Sequence, residues 1–242
     1  MQTEPANIES KQYENKYFLF NKAFFANVSS DIFNGAYWQE KEAITGQETG
    51  RGTTWFFQHN HHDLVLRHYL RGGLVSKLSK EHYIFSSWAS CRSISEFQIL
   101  NKLVQQGLPV PTPAAAQVIR SGLSYKADLI TQRIPSAKDL VQILKVAQDE
   151  NFYKQLGKTI ARFHHMGVYH ADLNIQNILQ DKDQQFWLID FDRARIMPPQ
   201  QKWQLGNLSR LKRSFKKEKE RFGIQWSEKD WDVLINAYES TR

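Results

Sequence analysis

The pattern of apolar and polar positions predicts a chain that is rich in strands first and in helices later. The run TTWFFQ at residues 53–58 is β-branched and aromatic, the polar HNHHD follows, and LVLRHY at residues 64–69 is a second run of the same type. These features indicate a hairpin. Apolar residues then fall near helical spacing over residues 94–104, and Gly107 follows as a stop signal, so an amphipathic helix is expected there.

The pattern changes near Pro135, which marks the expected domain boundary. Before it, AQVIRSG and SYKADLITQRI predict two strands around a Ser121-Gly122 turn. After it, SAKDLVQILKVAQ and the stretch of residues 152–165 predict helices. A small hairpin is expected from Ile178-Leu179 and FWLID, which are separated by the polar QDKDQQ. We therefore predict a first domain at residues 1–134 and a second at residues 135–242.

Composition fits a water-soluble protein that handles anionic molecules. With 242 residues, 41% of them hydrophobic, the chain can bury one large core or two small ones. The early apolar stretch at residues 17–28 is shorter than the roughly 20 residues of a membrane-spanning helix. The net charge of +7 favours a nucleotide, a phosphorylated glycolipid, a nucleic acid or an anionic membrane surface as partner.

Cysteine usage and the first ten residues suggest a cytoplasmic location. The single cysteine, Cys91, can form no internal disulfide, which fits a reducing compartment. The segment MQTEPANIES has no basic region leading into an apolar stretch, so it does not resemble a secretory signal.

The strongest chemical signal is YHADLNIQNIL at residues 169–179, followed by FWLIDFDRA at residues 186–194. Asp-Leu-Asn alone is a common turn, and an aspartate after an apolar strand is often only a cap. Together, however, the two segments resemble the catalytic loop and metal-binding aspartate of protein kinases and kinase-like small-molecule phosphotransferases.

The resemblance gives each of these residues an expected role. Phosphoryl transfer requires a carboxylate near the acceptor hydroxyl and oxygen ligands that hold Mg²⁺ against the phosphates of ATP. Asp172 takes the first role, and Asn177 and Asp190 supply the metal ligands. His170 is assigned to support the loop.

The implied fold is α+β and protein-kinase-like, with two lobes. Residues 1–134 would form an N-lobe with an antiparallel sheet and one main helix, and residues 135–242 a mostly helical C-lobe. The adenine-contacting residues are expected near residues 131–134, between the lobes.

Further residues would bind the nucleotide in such a fold. Gly46, Gly50 and Gly52 precede a strand and would form a flexible loop whose backbone amides approach phosphates, although such a segment alone is usually a hairpin turn. Arg67 occupies the position of the kinase lysine that pairs with the α- and β-phosphates, but arginine and lysine are not equivalent, so Lys77 is an alternative.

Two further residues of the kinase pattern can be located, one in the helix predicted over residues 94–104 and one in the segment that contains Asp190. Glu96 is placed as the kinase glutamate that pairs with the phosphate-binding cation, the alternative being an exposed helix glutamate. Asp190-Phe191-Asp192 replaces the usual Asp-Phe-Gly, which makes a regulatory flip of this loop less favourable.

The run RHYLRGG at residues 67–73, with HADLNIQNIL and LIDFDRAR, closely resembles the 3-deoxy-D-manno-octulosonic acid (Kdo) kinases of the lipopolysaccharide kinase family. This resemblance covers most of the chain. It implies transfer of phosphate from ATP to the 4-hydroxyl of a Kdo residue on a lipid A precursor, at the cytoplasmic face of the bacterial inner membrane. Arg71 would contact the acceptor or a phosphate, unless it is a surface arginine beside a Gly-Gly turn.

A basic segment near the end of the chain has two interpretations. RLKRSFKKEKER, at residues 210–221, holds seven lysines and arginines against two glutamates, and apolar residues fall near one face of the helix it predicts. In the first, the amphipathic helix lies peripherally on an anionic membrane or holds a lipid acceptor. In the second, its charged face is solvated and its apolar stripe packs against the rest of the protein.

Other functions remain open from the residues alone. A heptose or aminoglycoside phosphotransferase would share the two loops but not RHYLRGG. A pseudokinase or a basic nucleic-acid-binding module would explain the charge but would not need intact metal and catalytic positions. We therefore expect neither a nucleic-acid nor a protein partner.

Overall fold

The structure, a computed structural model, describes residues 7–49, 52–70 and 81–241. The chain divides into two compact units. Unit 1 comprises Met1–Gln105 and Pro111–Arg133, and unit 2 comprises Gln106–Val110 and Ile134–Arg242.

Unit 1 is built around an antiparallel sheet of eight strands. The strands are β1 (Ile8–Tyr13), β2 (Lys16–Asn21), β3 (Ile44–Thr49), β4 (Thr53–His59), β5 (His62–His68), β6 (Tyr83–Ile84), β7 (Pro113–Ser121) and β8 (Ser124–Gln132). Their order is β1-β2-β7-β8-β5-β4-β3, and β6 pairs with β8 outside this path. The β4–β5 and β7–β8 hairpins confirm the strands predicted from their apolar runs.

In the described part of unit 1, two α-helices accompany the sheet: α1 (Gly35–Glu40) and α2 (Arg92–Gln105). The predicted helix is α2, whose residues Ile94, Phe97, Leu100 and Leu103 are all buried. It ends before Gly107, whose φ of 69° is a backbone conformation that glycine adopts without a steric cost. Sequence patterning missed α1 and the β1–β2 hairpin.

An aromatic core fills the space between α1, β2 and the middle strands of the sheet. Phe20, Phe57 and Leu64 are completely buried, and the Trp38 ring stacks on Phe57 with centroids 4.1 Å apart. Burial of such rings is the main favourable contribution to folding, because apolar surface leaves water. This core holds β4 and β5 in a fixed register.

Unit 2 is mostly helical with short strands. The elements are β9 (Lys138–Asp139), α3 (Leu140–Ile143), α4 (Glu150–His165), β10 (Val168–Tyr169), β11 (Ile178–Gln180), β12 (Phe186–Leu188), β13 (Arg195–Ile196), α5 (Gln201–Phe222) and α6 (Glu228–Ser240). The α4 helix and the β11–β12 hairpin confirm the sequence predictions. The chain as a whole is a mixed α+β protein with an antiparallel sheet.

Close packing of α4 against α6 forms the base of unit 2. A Cβ atom added at Gly157 in α4 would lie 2.3 Å from the backbone oxygen of Leu234 in α6. Only glycine permits this approach of the two backbones. The α4 helix begins at the cap Asp149, whose carboxylate accepts a hydrogen bond from the Phe152 amide at 2.9 Å.

The continuous helix predicted for SAKDLVQILKVAQ is wrong. Lys138 and Asp139 instead pair with β11 as the short strand β9, and α3 spans a single turn. The Leu144 carbonyl accepts a hydrogen bond from the Gln225 amide at 2.6 Å, so it does not continue the helix. A distant segment thus decides where α3 ends.

The basic segment lies on α5, as predicted, and the apolar face of that helix is not available to a lipid. Leu208, Leu211 and Phe215 are buried in unit 2, whereas Phe222 remains 48% exposed. In the structure α5 therefore has a charged face over a largely packed apolar stripe, and the buried part of that stripe does not face solvent. Among the residues that the structure describes, no helix is both long and apolar enough to cross a membrane.

Candidate active site

His170 forms the structural centre of the loop that carries the candidate catalytic residues. Its side chain is buried, with Nε2 3.0 Å from the Ile189 carbonyl oxygen and Nδ1 accepting the Asp172 amide at 3.2 Å. Both contacts require the neutral imidazole with its proton on Nε2. Burial lowers the pKa of His170, which favours this neutral form.

Asp172 follows His170 by two residues, and its carboxylate is open to solvent. The side chain is 56% exposed. Its backbone carbonyl accepts hydrogen bonds from the side-chain amides of Asn174 and Asn177, each at 3.0 Å. The backbone at Asp172 is therefore held in place while its carboxylate remains accessible to a substrate.

Asn177 and Asp190 are brought together by the β11–β12 hairpin. The Ile189 amide donates to the Asn177 carbonyl at 3.0 Å, which continues the pairing of Ile178 with Leu188. Asp190 directly follows Ile189, so this hydrogen bond places Asp190 next to the backbone of Asn177. Because the Asn177 amide nitrogen bonds the Asp172 carbonyl, its side-chain oxygen is turned away from that bond and can act as a ligand.

The backbone of Asp190 is strained. Its φ is 63°, in the left-handed region, where a residue with a Cβ atom pays about 1–2 kcal/mol. The neighbouring Phe191 is completely buried, with its ring 4.9 Å from that of His170 and 6.2 Å from that of Phe163. Packing of Phe191 stabilises the strained turn, and such strain is concentrated at functional sites.

The donor set fits a magnesium ion bound together with a nucleotide. Magnesium in phosphoryl-transfer sites takes one or two protein oxygen ligands and completes its shell with phosphates and water. Asn177 and Asp190 offer an amide oxygen and a carboxylate, both hard ligands. Groups of three or more histidine, cysteine or acidic residues suited to a metal do not occur in the described ranges.

Helix α5 supports the catalytic loop through three polar side chains that sequence reasoning did not assign. They share one face of the helix, at spacings of three and four residues: Asn207, Arg210 and Ser214. Asn207 accepts the His170 amide at 3.2 Å and donates to the His170 carbonyl at 3.0 Å. Ser214 accepts the Ile175 amide at 3.1 Å, and Arg210 lies 3.4 Å from the Asp172 carboxylate.

The sequence contains a weak signal that α5 supports the loop around His170. Asn207 stands within the apolar stripe of α5, beside Leu208 and between Trp203 and Leu211, and the stripe is buried. A polar residue at such a position needs a hydrogen-bonding partner. The identity of that partner, His170, cannot be read from spacing because 37 residues separate the two.

In unit 1, Arg67 and Glu96 form the ion pair that the kinase-like interpretation expects. The Arg67 Nη2 atom lies 2.7 Å from each carboxylate oxygen of Glu96. Glu96 is only 2% exposed and also accepts a hydrogen bond from the Tyr69 hydroxyl. The alternative interpretation of Glu96 as an exposed helix residue is therefore wrong.

Within the glycine-rich segment, Gly46 belongs to a strand and not to the predicted flexible loop. Gly46 lies within β3, which pairs with β4, and Gly52 immediately precedes β4. A Cβ atom at Gly52 would lie 2.5 Å from a side-chain carbon of Leu70, so a larger residue would displace its neighbour. Gly50, Arg71 and Lys77 lie outside the described residues.

The predicted site residues thus form two groups, one in each unit. His170, Asp172, Asn177 and Asp190 share one hydrogen-bonded frame in unit 2. Arg67 and Glu96 are paired in unit 1. These residue types are the ones that a phosphoryl-transfer site requires: a carboxylate, oxygen donors for a metal and a fixed cation.

Comparison with known proteins agrees with this chemistry. Residues 35–238 match the model of the lipopolysaccharide kinase (Kdo/WaaP) family. A protein of Vibrio parahaemolyticus named 3-deoxy-D-manno-octulosonic acid kinase is 45% identical over 95% of this chain and 97% of its own length. Proteins of the same name from Vibrio vulnificus and Mannheimia succiniciproducens are each 44% identical, over 96% and 95% of this chain and 99% and 98% of their own lengths. The chain therefore belongs to the lipopolysaccharide kinase (Kdo/WaaP) family.

Proposed function

We propose that this protein is an ATP-dependent kinase that phosphorylates the 4-hydroxyl of a Kdo residue on a lipid A precursor. The observation that carries the proposal is the open carboxylate of Asp172, whose backbone is held by His170 and Asn177, in a chain aligned almost end to end with Kdo kinases. An enzyme of this class acts in the assembly of the lipopolysaccharide core.

The proposed architecture is the two-lobe fold of protein kinases. Unit 1, with its antiparallel sheet and α2, would correspond to the N-lobe predicted for residues 1–134. Unit 2, with α4, α5 and α6, would correspond to the C-lobe predicted for residues 135–242. The pairing of Arg67 with the buried Glu96 supports this assignment, because kinases join a strand cation to a helix glutamate.

Asp172 acts as the base in this mechanism. As the acceptor oxygen forms its bond to the γ-phosphorus, the bond from phosphorus to the bridging oxygen breaks and ADP leaves. The hydroxyl proton passes to the Asp172 carboxylate. His170 contacts neither substrate in this scheme; it orients Asp172 by accepting its backbone amide.

Asn177 and Asp190 would hold Mg²⁺, which neutralises the charge that develops on the phosphates. Their spacing is set by the hydrogen bond from the Ile189 amide to the Asn177 carbonyl. Two protein ligands are enough when the nucleotide supplies the remaining oxygens.

The residues of unit 1 would bind ATP. Arg67, oriented by Glu96, would pair with the α- and β-phosphates, and backbone amides at Gly46, Gly50 and Gly52 would approach the phosphates. Residues 131–134 contact the adenine. The guanidinium replaces a lysine at this point, so its planar shape would bind phosphate with two parallel hydrogen bonds.

The acceptor and its location complete the proposal. A lipid A precursor carries phosphates and a sugar carboxylate, and the net charge of +7 favours an acceptor of that kind. The protein would act in the cytoplasm, peripherally on the inner membrane, where its net positive charge would favour contact with anionic lipid. Arg71 would add a contact to the acceptor.

An acceptor panel tests the proposal. Labelled γ-phosphate transfer from ATP with Mg²⁺ is measured to a lipid A precursor bearing one Kdo, to a heptose-bearing glycolipid, to an aminoglycoside and to a protein. Label on the Kdo acceptor alone is the expected result. Label on another acceptor would refute the proposed substrate, and no label on any acceptor would indicate a pseudokinase.

A further inference from the structure

Arg210 is a cation beside the candidate base that the mechanism above does not use. It lies on α5 between Asn207 and Ser214, with Nη1 3.4 Å from Oδ1 of Asp172. Both side chains are open to solvent, Arg210 being 45% and Asp172 56% exposed. Within the described ranges, Asp172 is the sole hydrogen-bonding or ionic partner of Arg210.

The geometry of this contact is that of a loosely held guanidinium. A charge-assisted hydrogen bond normally spans about 2.7–2.9 Å, and the Arg67–Glu96 contact of 2.7 Å lies in that range. The Arg210 contact is longer and reaches one carboxylate oxygen, whereas Arg67 reaches both oxygens of Glu96. An exposed pair of this kind contributes at most about 1 kcal/mol to stability. Arg210 therefore keeps most of its five N–H groups for another ligand.

The chemistry of the acceptor identifies that ligand. Kdo is a sugar acid whose carboxylate is attached to carbon 2 of the ring, and a single ring carbon separates carbon 2 from carbon 4, which bears the accepting hydroxyl. A hydroxyl held against Asp172 therefore brings the carboxylate within a few ångströms of the same point. A guanidinium beside Asp172 can therefore contact the sugar carboxylate while the 4-hydroxyl lies against Asp172.

We propose that Arg210 binds the carboxylate of the acceptor sugar and thereby orients its hydroxyl towards Asp172. The inference rests on the proposed function, and it names the feature of the substrate that this site recognises. Arginine suits this role because its planar fork matches a carboxylate with two parallel hydrogen bonds. A neutral sugar would leave these donors unpaired and would bind more weakly.

Neighbouring cations on α5 do not share the position of Arg210. Lys212 and Lys216 lie 2.7 and 2.8 Å from the carboxylate of Glu228 at the start of α6, so they are engaged within unit 2. Arg213 is exposed and makes no hydrogen bond or ion pair with any residue that the structure describes. Arg213 is thus a matched control: it has the same charge on the same helix but no contact with Asp172.

The test combines two variants with two acceptors. Wild type, Arg210→Ala and Arg213→Ala are assayed with the Kdo-bearing precursor and with its Kdo methyl ester, which lacks the negative charge. Arg210→Ala is expected to raise the KM for the free acid by about 10- to 100-fold, the range for a hydrogen bond to a charged group. The KM for ATP is expected to stay unchanged, and Arg213→Ala to behave as wild type.

The methyl ester distinguishes binding of the sugar carboxylate by Arg210 from a purely structural role of Arg210. Arg210→Ala and wild type are expected to have nearly equal KM values for the ester, and Arg210→Lys to fall between Arg210→Ala and wild type on the free acid. Equal losses of Arg210→Ala on both acceptors would overturn the role of Arg210 and leave the proposed function intact. Absence of transfer by the wild-type protein would instead remove the proposed function itself.

Discussion

Replacement of Asn207 by alanine is expected to destabilise the protein and to slow catalysis together. Asn207 accepts the His170 amide at 3.2 Å and donates to the His170 carbonyl at 3.0 Å, and both residues are only 2% exposed. Water cannot readily replace the lost partner. A buried polar group left unpaired costs about 1–3 kcal/mol, so two such groups and partial relaxation give a loss of about 2–4 kcal/mol in unfolding free energy.

Catalysis is expected to suffer because His170 orients Asp172. Asn207→Ala should lower kcat at least about tenfold, equivalent to about 1.4 kcal/mol of barrier, while the KM for ATP changes little. Urea unfolding gives the free energy, and steady-state transfer gives kcat. Ser209→Ala, at an exposed position two residues along α5, serves as the control. Asn207→Ala with wild-type stability and kcat would refute the reasoning that α5 fixes the loop.

Three further predictions test the other elements of the site. Asp190→Ala should weaken binding of the magnesium–nucleotide complex, as measured by calorimetry. Asp172→Ala should abolish phosphate transfer but bind nucleotide nearly as wild type does. Equal unfolding of the two variants would contradict these roles. Glu96→Gln should raise the KM for ATP about tenfold, because the amide cannot accept hydrogen bonds from Arg67 on both of its terminal atoms. Burial lowers the pKa of His170 from its ordinary value of 6.5, so its contribution to stability is present above that pH and lost as the pH falls towards the folded-state pKa. Urea unfolding between about pH 5 and pH 8 should therefore show a weaker acid destabilisation in His170→Gln than in wild type.

Local signals in the sequence were sufficient for the elements that carry the chemistry. The β4–β5 hairpin follows from two β-branched and aromatic runs, and α2 follows from apolar residues at helical spacing that end at Gly107. The β11–β12 hairpin before Asp190 follows from two short apolar runs, and the candidate catalytic loop follows from the resemblance of YHADLNIQNIL to that of kinases. Each of these patterns is complete within a short segment, so no tertiary information is needed.

Interactions between distant segments account for what the sequence did not predict. The end of α3 depends on a hydrogen bond from the Gln225 amide to the Leu144 carbonyl. The β1–β2 hairpin depends on pairing with β7, whose residues lie about a hundred positions later. The support of His170 by Asn207 depends on the packing of α5 beneath the loop. The pattern of apolar and polar residues along the chain does not indicate which distant segments will contact each other.

The central claim is that Asp172 directs phosphate to the 4-hydroxyl of Kdo, and analysis of the product tests it most directly. The wild-type protein and Asp172→Asn are incubated with ATP, Mg²⁺ and the Kdo-bearing lipid A precursor, and the product is examined by phosphorus–proton correlation NMR. The account predicts a phosphate coupled to the proton on carbon 4 of Kdo, and no such product from Asp172→Asn. A phosphate at another position, or an undiminished product from Asp172→Asn, would contradict it.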